Sequence, residues 1–143
     1  MSLVSKVALI TGSTSGIGLG VARCLAKQGS AIILNGFGDL DEIKKLQHSM
    51  MDEYKVKVSF QGADLSNQSE IELMMENCFK EHSKVDIVVN NAGIQHVAPV
   101  DEFPTDKWNK IMDLNLNAVH HTTRLVLPKM KEQNWGRIIN VAS

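Results

Sequence analysis

Among 143 residues the chain has one tyrosine, two tryptophans and two cysteines, and it has no long apolar run. Each shortage removes a class of protein. No stretch approaches the ~18 apolar residues of a membrane-spanning helix. Cys24 and Cys78 stand far apart without a Cys-x-x-Cys pair, so no dithiol or zinc-ribbon site is encoded, and both are expected as reduced thiols in the core. Fifteen basic and sixteen acidic residues nearly cancel, which leaves no basic field for nucleic acid. His48, His82, His96, His120 and His121 show no His-x-x-x-His spacing, and an adjacent pair on a helix points in different directions. No metal centre is expected. Residues 1–6 carry no signal-peptide pattern, so the protein is expected to be cytoplasmic.

What is present suits one globular domain over residues 1–143, with 43% hydrophobic and 22% charged residues. Apolar runs at residues 6–10, 31–34, 85–89 and 137–141 predict strands, as does the alternation of Val56, Val58 and Phe60. Between them lie helical patterns. The first places Ile17, Val21 and Leu25 on one face and ends before Gly29. Asp39 and Glu42 resemble a capping box opening a helix to about Tyr54. Ser66 is the expected cap of a helix carrying Ile71, Met74, Met75, Cys78 and Phe79. Thr105 is the expected cap of one long helix through Trp108, Ile111, Met112 and Val119, with Pro128 near its end. Both tryptophans read as packing residues. The alternation predicts an α/β fold, a Rossmann-type doubly wound parallel sheet with helices on both faces and right-handed crossovers.

The segment Thr11-Gly12-Ser13-Thr14-Ser15-Gly16-Ile17-Gly18 sits where the first strand gives way to the first helix. Glycines there let phosphates approach the backbone, and free N–H groups at the helix start carry the positive end of the helix dipole. The spacing Gly-x-x-x-Gly-x-Gly differs from the common Gly-x-Gly-x-x-Gly, and a purely structural turn is the bland alternative. A P-loop is excluded, because no Gly-Lys-Ser/Thr follows. Ligands of such sheets lie beyond the carboxyl ends of the strands. Asp64-Leu65, Asn90-Asn91-Ala92-Gly93 and Ser143 each follow a strand and would line that crevice. Read blandly, Asp64 is a turn acid and Asn-Asn-Ala-Gly a simple strand exit. Asn115, amid apolar helix positions, requires an internal partner.

These residues together resemble the short-chain dehydrogenase/reductase family. The glycine turn, Asn90-Asn91-Ala92-Gly93, Asp113-Leu114-Asn115 and Ile139-Asn140-Val141-Ala142-Ser143 match its signatures in the family's order. The resemblance implies hydride transfer between NAD and a small hydroxy or keto acid, a short 3-hydroxy acid of the 3-hydroxybutyrate type. It implies a cofactor site of Gly12, Thr14, Ser15, Gly16, Ile17, Gly18, Phe37, Asp64, Leu65, Asn91, Ala92 and Gly93. Asp64 would meet the adenine amino group, and Asn91 the nicotinamide-side ribose. Asn115 would hold a water in the proton path, and Ser143 would hydrogen-bond the substrate oxygen. Gln95 would hold the substrate carboxylate. His96 has at most a minor role beside it. Gly36 and Phe37 occupy the cofactor-selecting positions; with no cation for a 2′-phosphate, NAD is favoured. Asp39 could reach the ribose, but capping suits it better. The resemblance also implies a homotetramer, partly through the helix containing Asn115.

One family feature is missing from these residues. The catalytic Tyr-x-x-x-Lys pair, which lowers the tyrosine pKa for proton exchange, has no counterpart, since Tyr54 lies early and lacks the lysine. Either the chain is the N-terminal portion of a longer enzyme, the favoured reading, or it stands alone with negligible turnover, an exposed fifth strand and a tendency to aggregate. A nucleotide-binding module without chemistry is the competing class. A methyltransferase on the same sheet would leave Asn-Asn-Ala-Gly and Asn-Val-Ala-Ser without a role.

Overall fold

The computed structural model describes residues 2–142. Five strands, β1 (Val7–Ile10), β2 (Ala31–Asn35), β3 (Val58–Gln61), β4 (Ile87–Asn90) and β5 (Arg137–Asn140), form one parallel sheet in the order β3-β2-β1-β4-β5. Order therefore reverses between β1 and β4, where Ala8 pairs with Ile87 and Ile10 with Val89. Successive side chains of a strand point to opposite faces, and here both faces are apolar. Val7, Leu9, Ile33 and Val88 join one buried cluster. Ala8, Ile10, Ile32, Leu34, Ile87 and Val89 join the other. A four-residue strand such as Val-Ala-Leu-Ile can satisfy this only when covered on both sides.

The covering helices are α1 (Gly16–Lys27) and α2 (Leu40–Tyr54) on one face and α3 (Gln68–His82) and α5 (Ala118–Glu132) on the other. In α1 the buried stripe is Gly18, Ala22 and Ala26, one position beyond the predicted Ile17, Val21 and Leu25. Small residues let the helix axis approach the sheet, and Ile17 is left 70% exposed. Cys24 on the same helix is exposed, contrary to expectation, while Cys78 is buried. Burial pushes the Cys78 thiol up to about 12.

Three helix starts differ in detail from expectation. Asp39 caps α2 by accepting from the N–H groups of Asp41 and Glu42, but Glu42 pairs with Lys45 at 3.0 Å and closes no box. Asn67, not Ser66, caps α3 through the N–H groups of Ser69 and Glu70. Ser66 instead donates to Asp64. Helix α4 (Thr105–Met112) begins after Pro104 without any side-chain cap, so Thr105 is its first residue. Lys55 and Ser83 take the left-handed conformation at the ends of α2 and α3, a position glycine usually marks.

The amino ends of the central strands are tied by Asp86, only 1% exposed. Its carboxylate accepts from the Val7 N–H at 2.8 Å and the Gln133 side chain at 2.9 Å, and it pairs with Lys84 at 3.0 Å. Beside it the Trp135 ring is flanked by Lys6 at 3.9 Å and Arg137 at 4.6 Å from its centroid, so this tryptophan does pack. Trp108, by contrast, is 55% exposed and stands T-shaped to the Phe103 ring. No helix among the described residues is long and apolar enough to cross a membrane. Replacing Asp86 by alanine strands the buried Val7 N–H and takes the partner from half-buried Lys84 and from Gln133, and breaking such a set costs about 3 kcal/mol. Urea unfolding of Asp86→Ala is expected to show that loss, and a loss within experimental error would refute the tie.

Candidate active site

The glycine turn is interlocked with the exit of β4. Thr11 is buried, and its hydroxyl oxygen accepts from the N–H groups of Asn91 at 2.9 Å and Ala92 at 3.0 Å. The Asn91 side-chain amide donates back to the carbonyls of Thr11 at 3.2 Å and Gly12 at 3.1 Å. Gly12 has φ +59°, and a Cβ there would lie 3.0 Å from the Ala92 Cα. A Cβ on Gly18 would collide with the Gly12 carbonyl and with the Asn91 amide. Two loops joined this closely admit no side chain between them. The sequence puts Asn91 in the site and Thr11 at the head of the glycine turn, but gives Thr11 no role, since nothing local marks the two amides its hydroxyl serves.

At the start of α1, Ser15 has extended backbone and its side chain makes no capping bond. Among the described residues the N–H groups of residues 14–18 have no hydrogen-bond partner. Five unpaired donors at the positive end of a helix suit an anion. Here a phosphate fits on chemical grounds.

This turn faces two crevices at the carboxyl edge. One, of about 350 Å³, is lined by Gly12, Thr14, Ser15, Gly36, Phe37 and Leu65 among others. The other, of about 550 Å³, is lined by Ile17, Gln95, Asn115, Leu116, Val141 and others. Asn91, Ala92, Gly93 and Ile94 line both, so the two are halves of one cleft across the reversal in strand order. No Lys, Arg, Asp or Glu is among the described lining residues. Charge selection therefore falls to the unpaired amides.

Gly16 and Gly18 shape the turn without lining the cleft, and Asp64, expected to line it, is also absent from the lining. One Asp64 oxygen accepts from the Ser66 hydroxyl at 2.7 Å and the Ser66 N–H at 2.9 Å. The Ser66 hydroxyl, then its backbone N–H, hold the Asp64 carboxyl below the usual carboxylate range. The other oxygen remains for a ligand. Ser143 lies outside the described residues. His96 is exposed on the β4–α4 loop with its ring edge-on to Phe103.

The expected long helix is three pieces: α4, a π-helical turn (Asp113–Asn117) and α5. The turn is closed by the Ala118 N–H donating to the Asp113 carbonyl, five residues back. Inside it, Asn115 uses both amide atoms on one residue of the β4 exit. Its Oδ1 accepts from the Ile94 N–H at 2.9 Å and its Nδ2 donates to the Ile94 carbonyl at 2.8 Å. A π turn widens the helix by one residue and re-aims a side chain; Asn115 finds this backbone partner at an exposed position, not in the interior expected of it. Further along, buried Thr122 donates to Asn90 at 2.7 Å, and Asn90 to Asn140 at 3.0 Å, joining α5, β4 and β5. Among the described residues no three His, Cys, Asp or Glu side chains converge as metal ligands.

A sheet ordered 3-2-1-4-5 with a glycine turn at the reversal is the Rossmann type of nucleotide-binding oxidoreductase sheet. The chain belongs to the short chain dehydrogenase family, which matches residues 6–143. It is similar to the D-beta-hydroxybutyrate dehydrogenase of Cupriavidus necator, 52% identical over 141 residues, which are 99% of this chain and 54% of that protein. The D-beta-hydroxybutyrate dehydrogenase of Rhizobium meliloti is 46% identical over 98% of the chain and 54% of its own length. The chain thus spans about half the length of these curated relatives. Among solved structures, L-sorbose reductase from Gluconobacter frateurii, complexed with NADPH and L-sorbose, superposes with a TM-score of 0.94 at 31% identity, over 100% of this chain and 54% of that one.

Thr11→Val keeps the shape of the joint but leaves two backbone donors unpaired, at ~1–3 kcal/mol each. The expected result is a protein about 2–4 kcal/mol less stable in denaturant unfolding, with faster hydrogen exchange at Asn91 and Ala92. Unchanged exchange at those two amides would contradict the joint.

Proposed function

We propose that the protein containing this chain oxidises a short 3-hydroxy acid, 3-hydroxybutyrate, to the 3-keto acid with NAD, and runs the reverse reduction. The observation that carries this reading is the row of unpaired amides at residues 14–18, opening onto a neutral cleft that continues past Gln95 and Asn115. Bound NAD supplies the acceptor for the hydride lost by the alcohol carbon. The unpaired N–H groups of residues 14–18 hold the diphosphate, Thr14, Ser15, Gly16, Ile17 and Gly18 completing the turn that Gly12 opens. Gly36 and Phe37 sit where a 2′-phosphate would need a cation and offer none, which favours NAD over NADP. Asp64 and Leu65 hold the adenine side, while Asn91, Ala92 and Gly93 border the nicotinamide side.

On the substrate half, Gln95 donates to the carboxylate, and Ser143 donates to the oxygen on which charge develops. Asn115 keeps one amide hydrogen and one lone pair free beyond its bonds to Ile94, enough to hold a water in the proton path. The proton itself goes to a Tyr-x-x-x-Lys pair, which family resemblance locates after Ser143. Support for the substrate comes from the two hydroxybutyrate dehydrogenase relatives. A homotetramer belongs to the same proposal and rests on the resemblance alone, while a cytoplasmic location rests on the absence of a signal-peptide pattern at residues 1–6.

The test is an assay of the complete protein and of the 143-residue chain side by side, followed by the absorbance of NADH. The complete protein is expected to oxidise 3-hydroxybutyrate with NAD at least ~10-fold more efficiently than with NADP, a factor worth about 1.4 kcal/mol. The short chain is expected to show negligible turnover. Clear NADH formation by the short chain would overturn the assignment of the proton step, and NAD binding by the complete protein without oxidation would favour the non-catalytic module. Gln95→Leu is expected to raise the KM for the hydroxy acid by roughly 10–100-fold, the worth of one hydrogen bond to a charge, leaving the KM for NAD unchanged. Equal rises in both constants would remove Gln95 from the substrate site.

A further inference from the structure

We propose that Asn35 is a positioning residue that decides which amides of the glycine turn are available to a diphosphate and how far they stand from the adenine wall. The inference rests on the nucleotide reading above and adds to it a residue outside the glycine turn. Asn35 ends β2 and is 1% exposed. Its Oδ1 accepts from the Gly12 N–H at 3.0 Å. Its Nδ2 donates to the carbonyls of Gln61 at 3.0 Å and Ala63 at 3.2 Å, at the exit of β3. Its own backbone completes the clasp: the carbonyl accepts from the Ser13 N–H at 2.7 Å, and the N–H donates to the Ser13 hydroxyl at 3.0 Å.

Two consequences follow from these bonds. The first concerns donors. Gly12 and Ser13 spend their N–H groups on Asn35, so the unpaired run begins at Thr14. An anion is thereby drawn to the helix start and kept off the strand end. The second concerns distance. Gly12, Asn35 and Ala63 line the same crevice, and the single planar Asn35 amide is bonded to both of the others. One carboxamide therefore sets the gap between the phosphate-facing turn and the wall carrying Leu65. The side chain has two donors and one acceptor in use, a combination that neither Asp nor a hydroxyl reproduces. Asp in its place would set a carboxylate against two carbonyls and, in the loaded protein, beside the diphosphate.

Hydrogen exchange on the complete wild-type protein, read before and after adding NAD, tests the donor half without any substitution. The amides of Gly12 and Ser13 are expected to be protected in both states, and those of residues 14–18 to gain protection only with NAD. Free exchange at Gly12 in the unloaded protein would overturn the proposal. Failure of NAD to protect residues 14–18 in the folded protein would instead overturn the nucleotide reading itself.

Calorimetric titration of Asn35→Asp and the milder Asn35→Ser tests the distance half. Both are expected to weaken NAD binding by roughly tenfold or more, while kcat at saturating NAD changes less than twofold. Ile71→Val, a core change in α3, serves as the control, expected to lower the melting temperature with NAD affinity intact. Affinity within twofold of wild type in either folded Asn35 variant, or losses that merely follow melting temperature across all three proteins, would refute it.

Discussion

At the carboxyl edge of the sheet, main-chain polar groups leave the strands in close company and partly withdrawn from water. Side chains from neighbouring strands satisfy them: the Thr11 hydroxyl serves the Asn91 and Ala92 amides, and the Asn91 amide serves the Thr11 and Gly12 carbonyls. A buried backbone donor left unpaired is costly, so these bonds constrain every loop they touch. The cleft exists because four strand exits are cross-tied in this way. The amides of residues 14–18 stand apart from that accounting, and the contrast gives the turn its meaning.

The same device operates at three distances in the chain. Thr11 and Asn91 tie β1 to β4, Asn35 ties β1 to β3 across β2, and Asn115 ties the π turn to Ile94. In each case one side chain grips a backbone instead of another side chain, which fixes the path of a loop and leaves its side chains free to meet ligand. Asn115 shows the consequence most plainly. Its bonds to both polar atoms of Ile94 fall where the helix takes a π turn, and they tie that turn to the stretch that leads to Gln95.

Much of the fold could be read from residue order, because fully buried parallel strands leave short apolar runs that Gly, Asp and Asn punctuate. Strand and helix identities follow from that pattern. Boundaries and faces were less legible. The α1 stripe moves from Ile17-Val21-Leu25 to Gly18-Ala22-Ala26 because close packing on the sheet rewards small residues, a preference hydrophobicity alone inverts. Asn67 displaces Ser66 as a cap because Ser66 is already engaged with Asp64. Cys24 was expected in the core on its residue type, yet it falls on the outer side of the same helix.

The sequence by itself determined the α/β alternation, the glycine turn between the first strand and helix, and the neutral balance of charge around it. These are local matters, set by periodicity, by the missing side chains of glycine and by the residues that can start a helix. Only the tertiary structure decided that Asn35 serves Gly12 and Ala63, that Asn115 breaks its helix to reach Ile94, and that Asp64 turns aside to Ser66. Such choices depend on which backbone atoms a strand order of 3-2-1-4-5 brings within hydrogen-bond distance. An asparagine in a strand or helix carries no mark of the partner it will find dozens of residues away.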